Sequence, residues 1–232
     1  MINLQPIQDF HVLISEKSDG SFSSQKEVKS WLEAQQVEPP ICYFHHQHQA
    51  HRFLHLEKSS LPVKPIWADS VITNQNICPA MMVADCFPVL IVDQNNQTFA
   101  LVHAGWKPLL QNIIELTIQD MRLRLSTKPT QLLAWIGPGI RPCCYRFPKK
   151  PVQADLPDWQ AHVSQTKGSR WQIDLPGFIK QNLKQLGLPS RQILDSSQCT
   201  GCNESLFSHH LAQTEQIEPG RLAAAVYRQK TG

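Results

Sequence analysis

Two apolar runs separated by a polar turn dominate the middle of the chain: FPVLIVD at 87–93 and TFALVH at 98–103, joined by QNNQ. Both runs are short and rich in β-branched and aromatic residues, and the connection has turn composition, so the stretch is predicted to form a β-hairpin. A two-residue Asn-Asn turn, with Gln94 facing Gln97, places His103 opposite Pro88. Side chains alternate along a strand with period two, so Cys86, two residues beyond Pro88, then shares a face with His103. The two become diagonal cross-strand neighbours about 7 to 8 Å apart at the backbone, within reach of one metal ion. A turn one residue longer would set them on opposite faces.

The same patterning predicts the other elements. FHVLIS (10–15) reads as a strand, and SSQKEVKSWLEAQQV (23–37) as a helix with a Ser start and Val28, Trp31 and Leu32 on one face. Strands are expected at ICYF (41–44), FLHL (53–56), ADSVIT (68–73) and AMMVADC (80–86). From Lys107 to Leu125, the residues Leu109, Leu110, Ile113, Ile114, Thr117, Ile118 and Met121 fall on one stripe, with Pro108 in the first turn, which predicts one long helix. LLAWIGPGI (132–140) is a strand running into a Gly-Pro turn. DLPGFIKQNLKQLG (174–187) is a helix with Asp174 as cap and Gly187 as stop. FSHH and RLAAAVYR are expected to supply the closing strand. Strands mixed with a few helices in no strict alternation imply an α+β (mixed α/β) domain, and without a long linker or an internal repeat a single domain over 1–232 is expected.

Composition narrows the partner class. The 22 basic and 19 acidic residues leave a formal charge of +3 with no basic block, so nucleic acid and membrane surfaces have little electrostatic attraction to offer, and a small molecule is the expected partner. The first residues have no basic segment followed by an apolar one, and no run of about 18 apolar residues occurs. With an odd number of cysteines, seven, reduced thiols or metal ligands are expected rather than a disulfide framework, which points to the cytoplasm.

Cys86 and His103 need a third ligand to make a metal site, and HHQHQAH at 45–51 is the obvious supply. Two His and one Cys would leave a fourth position for water or substrate, the arrangement of a catalytic zinc. The local spacing does not discriminate among His45, His46, His48 and His51. The competing structural reading makes Cys86 a small buried hydrophobe and His103 a hydrogen-bonded strand end. The helix beginning just after His103 would attract an anion, with Lys107 adding charge. Asp85, beside Cys86, is a candidate for proton transfer or for orienting a ligand, and equally for capping a strand end. Elsewhere, CTGC (199–202) has metal-ligand spacing but no second such pair, and Cys143 and Cys144 read as one buried and one exposed thiol after a tight Gly-Pro loop. HLE (55–57) lacks the P-C-x-x-C that accompanies H-x-E in zinc deaminases and reads as chance.

The segments ADSVIT, VADCFPVLIVD, LVHAGW, WIGPGIRPCCY, IDL, CT, FSHH and GR, from about residue 40 to the C-terminus, resemble the laccase-domain family. Its members are also called YfiH-like or multicopper polyphenol oxidase proteins and are regarded as purine nucleoside phosphorylases. The resemblance implies layered β-sheets flanked by helices. It also implies a zinc held by the His of a Q-V-H-G stretch, the Cys of A-D-C and the His of H-A-G-W. Here these are His48, Cys86 and His103. The chain departs from the family in lacking the S-L-N-L-G loop before the first helix. It has Lys107 and Pro108 for an Arg and a Gly after H-A-G-W, FSHHL for F-S-Y-R-R, and Arg146 for the Glu after C-Y. A Lys supplies charge without the two-pronged fork of an Arg.

The resemblance implies phosphorolysis of a purine nucleoside (adenosine, inosine or methylthioadenosine) and, as a further activity, adenosine deamination. Asp85, Cys86 and His103 would be catalytic and Lys107 would bind substrate. The alternative is a divergent, non-catalytic metal-binding or peptidoglycan-editing protein. A copper-dependent phenol oxidase ranks below both, because imidazole and thiolate suit copper but the only His-x-His is His46 and His48.

Overall fold

A computed structural model describes residues 1–45, 53–56, 66–93 and 95–229. The chain opens with β1 (Ile2–Ile7), β2 (Phe10–Ile14), α1 (Gln25–Ala34), β3 (Ile41–His45), β4 (Phe53–Leu56), β5 (Ile66–Trp67), β6 (Ser70–Thr73) and β7 (Cys78–Val83). The hairpin β8 (Phe87–Asp93) and β9 (Thr98–Ala104) follows, then α2 (Trp106–Leu110), α3 (Ile113–Leu125) and β10 (Leu132–Ile136). The last part comprises β11 (Arg146–Phe147), β12 (Val163–Gln165), β13 (Trp171–Ile173), α4 (Leu175–Gln185), β14 (Ile193–Asp195), α5 (His209–Glu215) and β15 (Leu222–Arg228).

The strands form a sheet in the order β1-β2-β15-β7-β3-β5, a second in the order β14-β10-β8-β9-β6-β4, and a small one, β11-β13-β12. Alternation along the strands explains how they stack. Leu90 and Val92 of β8 join Val12, Ile14 and Met81 in the core between the two large sheets. Their neighbours Val89 and Ile91 point the other way and pack on Ile114 and Ile118 of α3 and Ile179 of α4. Leu13, Tyr43 and Met82 face outward from the first sheet, where Val28, Trp31 and Leu32 of α1 cover them. The result is a helix–sheet–sheet–helix α+β domain. Every residue of β8 and β9 is buried, because both faces of their sheet are covered, which is why these strands are apolar except at their ends.

The hairpin has the register expected from the sequence, with Pro88 opposite His103 and Asp93 opposite Thr98. Asp93 closes the turn by accepting hydrogen bonds from the Asn95 and Asn96 amides at 3.0 and 3.2 Å. Two expectations are corrected. The long helix after His103 is broken: Asn112 adopts a left-handed conformation (φ 58°, ψ 34°) between α2 and α3. Leu109, Ile113, Ile114, Thr117, Ile118 and Met121 are nonetheless all buried; the stripe follows the core around the kink, and Asn is among the few residues that tolerate that backbone. FSHH is not a strand either. Ser208 caps α5 by accepting from the Leu211 amide, as Ser commonly does at a helix start, and only the following run forms β15. Among the described residues, no helix is long and apolar enough to cross a membrane.

Candidate active site

The site is built where β7 hands over to β8. After Val83 the chain turns through Asp85, which sits at φ 75°, a conformation a non-Gly residue adopts rarely and Asp more readily than most. That turn delivers Cys86 to the start of β8, while β9 delivers His103 to the same end of the sheet. The two side chains meet over Gly105: a β-carbon placed there would lie 2.7 Å from Cys86 Sγ and 3.5 Å from His103 Cε1. Glycine at 105 therefore preserves the space into which thiol and imidazole converge.

Asp69 fixes the imidazole. Its backbone carbonyl accepts from the His103 amide at 2.8 Å, and its carboxylate oxygen lies 3.0 Å from His103 Nδ1. A carboxylate on Nδ1 sets the tautomer in which Nε2 can ligate a metal, the usual arrangement behind a metal-binding His. Asp69 is 1% exposed and His103 5%. Burial opposes a charged ring, but the neighbouring Cys86 and the Asp69 side chain outweigh it and push the His103 pKa up to about 9. A buried imidazole braced by a carboxylate, beside a thiol and with room left by Gly105, fits a thiophilic or borderline metal ion.

Asp85 is held on all sides. One carboxylate oxygen accepts from Thr200 Oγ1 at 2.6 Å and the other from the His210 amide at 2.7 Å. Its backbone carbonyl accepts from the Ile140 amide at 2.9 Å. The residue thus ties the Cys86 turn to the loop before α5 and to the first turn of that helix.

Cys86, His103 and Asp85 lie at the floor of a cleft of about 470 Å³. One wall is aromatic: Tyr145 and Phe147 meet edge to face with centroids 4.7 Å apart, and His210 packs 5.2 Å from each. Lys107 and Arg221 also line the cleft, and Lys107 Nζ lies 5.4 Å from the centre of the Trp106 ring. The break after α2 leaves five helical residues behind Gly105, too short a stack of peptide dipoles to attract an anion strongly; charge in this cleft comes from the side chains.

Of the residues expected from the sequence, Asp85, Cys86, His103 and Lys107 are brought together around one cleft. The expected third ligand, His48, lies outside the described residues, as do His46 and His51. His45 ends β3 with its ring stacked on Trp67, centroids 4.6 Å apart. Asp69, Thr200, Tyr145 and Arg221 were not singled out by sequence reasoning. Asp69 and Arg221 lie inside the ADSVIT and GR segments, but only the folded chain shows what they touch.

A family model described as "Multi-copper polyphenol oxidoreductase laccase" matches residues 15–229. The chain is 30% identical over 167 residues to the purine nucleoside phosphorylase YlmD of Bacillus subtilis, covering 68% of this chain and 58% of that protein. It is 28% identical over 194 residues to the purine nucleoside phosphorylase YfiH of Shigella flexneri, covering 72% of this chain and 75% of that one. With YlmD of Geobacillus stearothermophilus the match again covers only 60% of the relative, so the chain spans about three fifths of the length of the YlmD proteins it matches. The crystal structure of that YlmD superposes with a TM-score of 0.76 at 21% identity, covering 98% of this chain and 94% of that one. A Neisseria meningitidis protein of known structure gives 0.77 at 20%, covering 99% of both chains. The YfiH-like fold expected from the sequence motifs is therefore present, and the chain belongs to the multi-copper polyphenol oxidoreductase laccase family.

Proposed function

We propose that the chain is a zinc-dependent purine nucleoside phosphorylase acting on adenosine, inosine or a methylthio analogue. The observation that carries this reading is the Cys86–His103 pair, braced by Asp69, on the floor of a cleft with one aromatic wall and two cationic side chains. Relatives sharing the fold are named purine nucleoside phosphorylases, and this cleft has the parts such a reaction uses. Zinc on Cys86 and His103, with His48 as third ligand, would supply Lewis-acid polarisation of an oxygen ligand or a bound water of lowered pKa.

The protein's own groups have separable roles in this scheme. Tyr145, Phe147 and His210 offer a face for a purine ring to stack upon. Lys107 and Arg221 balance the charge of phosphate, and Arg221 restores the planar guanidinium that Lys107 lacks. In phosphorolysis a phosphate oxygen attacks the ribose C1′, the C1′–N9 bond breaks, and the leaving base takes up a proton. The Asp85 oxygens accept from Thr200 and the His210 amide, which holds Cys86 and the α5 end in place, and their remaining lone pairs leave Asp85 as the candidate for proton transfer. Deamination of adenosine, in which water attacks C6, is a second use of the same centre. A non-catalytic binding role is the rival reading. It is favoured by His210, whose ring closes the aromatic wall where the family pattern has an arginine.

The test is metal content together with base release from inosine and adenosine, with and without phosphate, for the parent chain and Cys86→Ser. Phosphate-dependent base release that disappears in Cys86→Ser together with the metal held by Cys86 and His103 supports phosphorolysis. Metal binding without turnover selects the binding role.

A further inference from the structure

All four cysteines from the two motifs that sequence reading kept apart lie together. Cys143 and Cys144 come from the turn after β10; Cys199 and Cys202 come from the loop between β14 and α5. Their sulfurs all lie within 4.8 Å of one another, with Cys143 Sγ 3.5 Å from Cys199 Sγ and 3.4 Å from Cys202 Sγ, and Cys144 Sγ 3.3 Å from Cys202 Sγ. These separations exceed a disulfide bond of about 2.05 Å. Four thiolates around zinc at about 2.3 Å would stand roughly 3.8 Å apart in a tetrahedron, close to the spacing already present.

The surrounding backbone is shaped for the cluster. The Arg141 amide donates to Cys199 Sγ at 3.4 Å. The Cys199 carbonyl accepts from the Cys202 and Asn203 amides at 3.2 and 3.0 Å, folding C-x-x-C into a tight knuckle. Gly201 is required by contact: a β-carbon there would lie 2.7 Å from Cys144 Cβ and 2.8 Å from its sulfur. Cys199 is buried and Cys144 half-buried, while Cys143 and Cys202 are exposed. This differs from a thiol group packed as core, as Cys42 and Cys78 are.

We propose that Cys143, Cys144, Cys199 and Cys202 form a closed tetrathiolate site for a structural zinc-class metal ion, distinct from the Cys86–His103 centre. The four thiols give up their protons as the ion binds, and no position is left open for substrate. The ion staples the turn after β10 to the loop before α5, reinforcing the Gly139–Cys199 bridge and the Arg141 hydrogen bonds to Gln198 and Cys199. Thr200, one residue after Cys199, then holds Asp85 beside Cys86, so the staple sets one wall of the cleft. The inference does not depend on which reaction the cleft performs.

The experiment is X-ray absorption and metal analysis on the Cys86→Ser chain, purified under reducing conditions and loaded with zinc or cobalt. The expected result is one retained metal per chain with an all-sulfur shell at about 2.3 Å and the intense charge-transfer absorption of cobalt tetrathiolate. Titrating the same Cys86→Ser chain with a mercurial should release that metal as four thiols react. Cys86→Ser protein without bound metal, a mixed nitrogen and sulfur shell, or four thiols that react without releasing metal would each overturn the proposal. Disulfides among the four in protein kept reduced would do the same.

Discussion

The Asp69 carboxylate lies 3.0 Å from Nδ1 of His103, and the same residue's carbonyl takes the His103 amide. Strand pairing between β6 and β9 therefore aligns the imidazole as well as the sheet. Asp69→Asn keeps the shape and removes the charge. It is expected to weaken metal binding about 10- to 100-fold, read by competition with a chromophoric chelator. An unchanged affinity would remove Asp69 from the site.

Gly105 has φ −85° and ψ 167°, which any residue can adopt, so Gly105→Ala isolates a steric effect from backbone strain. Its new methyl would press on Cys86 Sγ at 2.7 Å. Metal occupancy and turnover should fall while the unfolding midpoint changes little. Full occupancy in the variant would show that the thiol can move aside.

Thr200→Val leaves one oxygen of the 8%-exposed Asp85 without its 2.6 Å hydrogen bond. Loss of a partner for a buried charged group costs about 1–3 kcal/mol, measurable by urea denaturation. Thr200→Ser keeps the hydroxyl and should restore most of it. Equal stability of the Val and Ser variants would argue against the bond.

Asn112 occupies left-handed space between α2 and α3. Asn112→Gly should be close to neutral or stabilising, whereas Asn112→Ala keeps the β-carbon but loses the short polar side chain that makes this backbone tolerable, and should cost up to roughly 1–2 kcal/mol. A more stable Ala variant would mean the two helices merge into the continuous one that the apolar stripe suggests.

Asp195 carries a pH dependence away from the cleft. Burial raises its pKa, but Lys180 at 2.6 Å and Arg141 outweigh that and hold its carboxyl below the ordinary 3.8. A carboxyl more acidic in the folded chain contributes stability that is fully present above its unfolded value and is lost as pH falls through the folded one. Acid unfolding of the parent should therefore be steeper below the ordinary aspartate value than that of Asp195→Asn. Parallel acid limbs would show that the ion pairs contribute nothing.

Strand chemistry pointed to the hairpin and, given a two-residue turn, to its register and hence the meeting of Cys86 with His103, because pairing across a short turn depends on residues within a few positions of each other. It likewise determined α1 and α4, whose caps, Ser24 and Asp174, are local. Periodicity overran at Asn112, since a stripe continues across a kink when both halves face the same core. Only tertiary structure decided the contacts that complete the sites: Asp69 reaches His103 across 34 positions, Thr200 reaches Asp85 across 115, and Cys143 reaches Cys202 across 59. Such contacts follow from the order of strands in the sheets and the loops that leave their ends, and no spacing along the chain encodes that order.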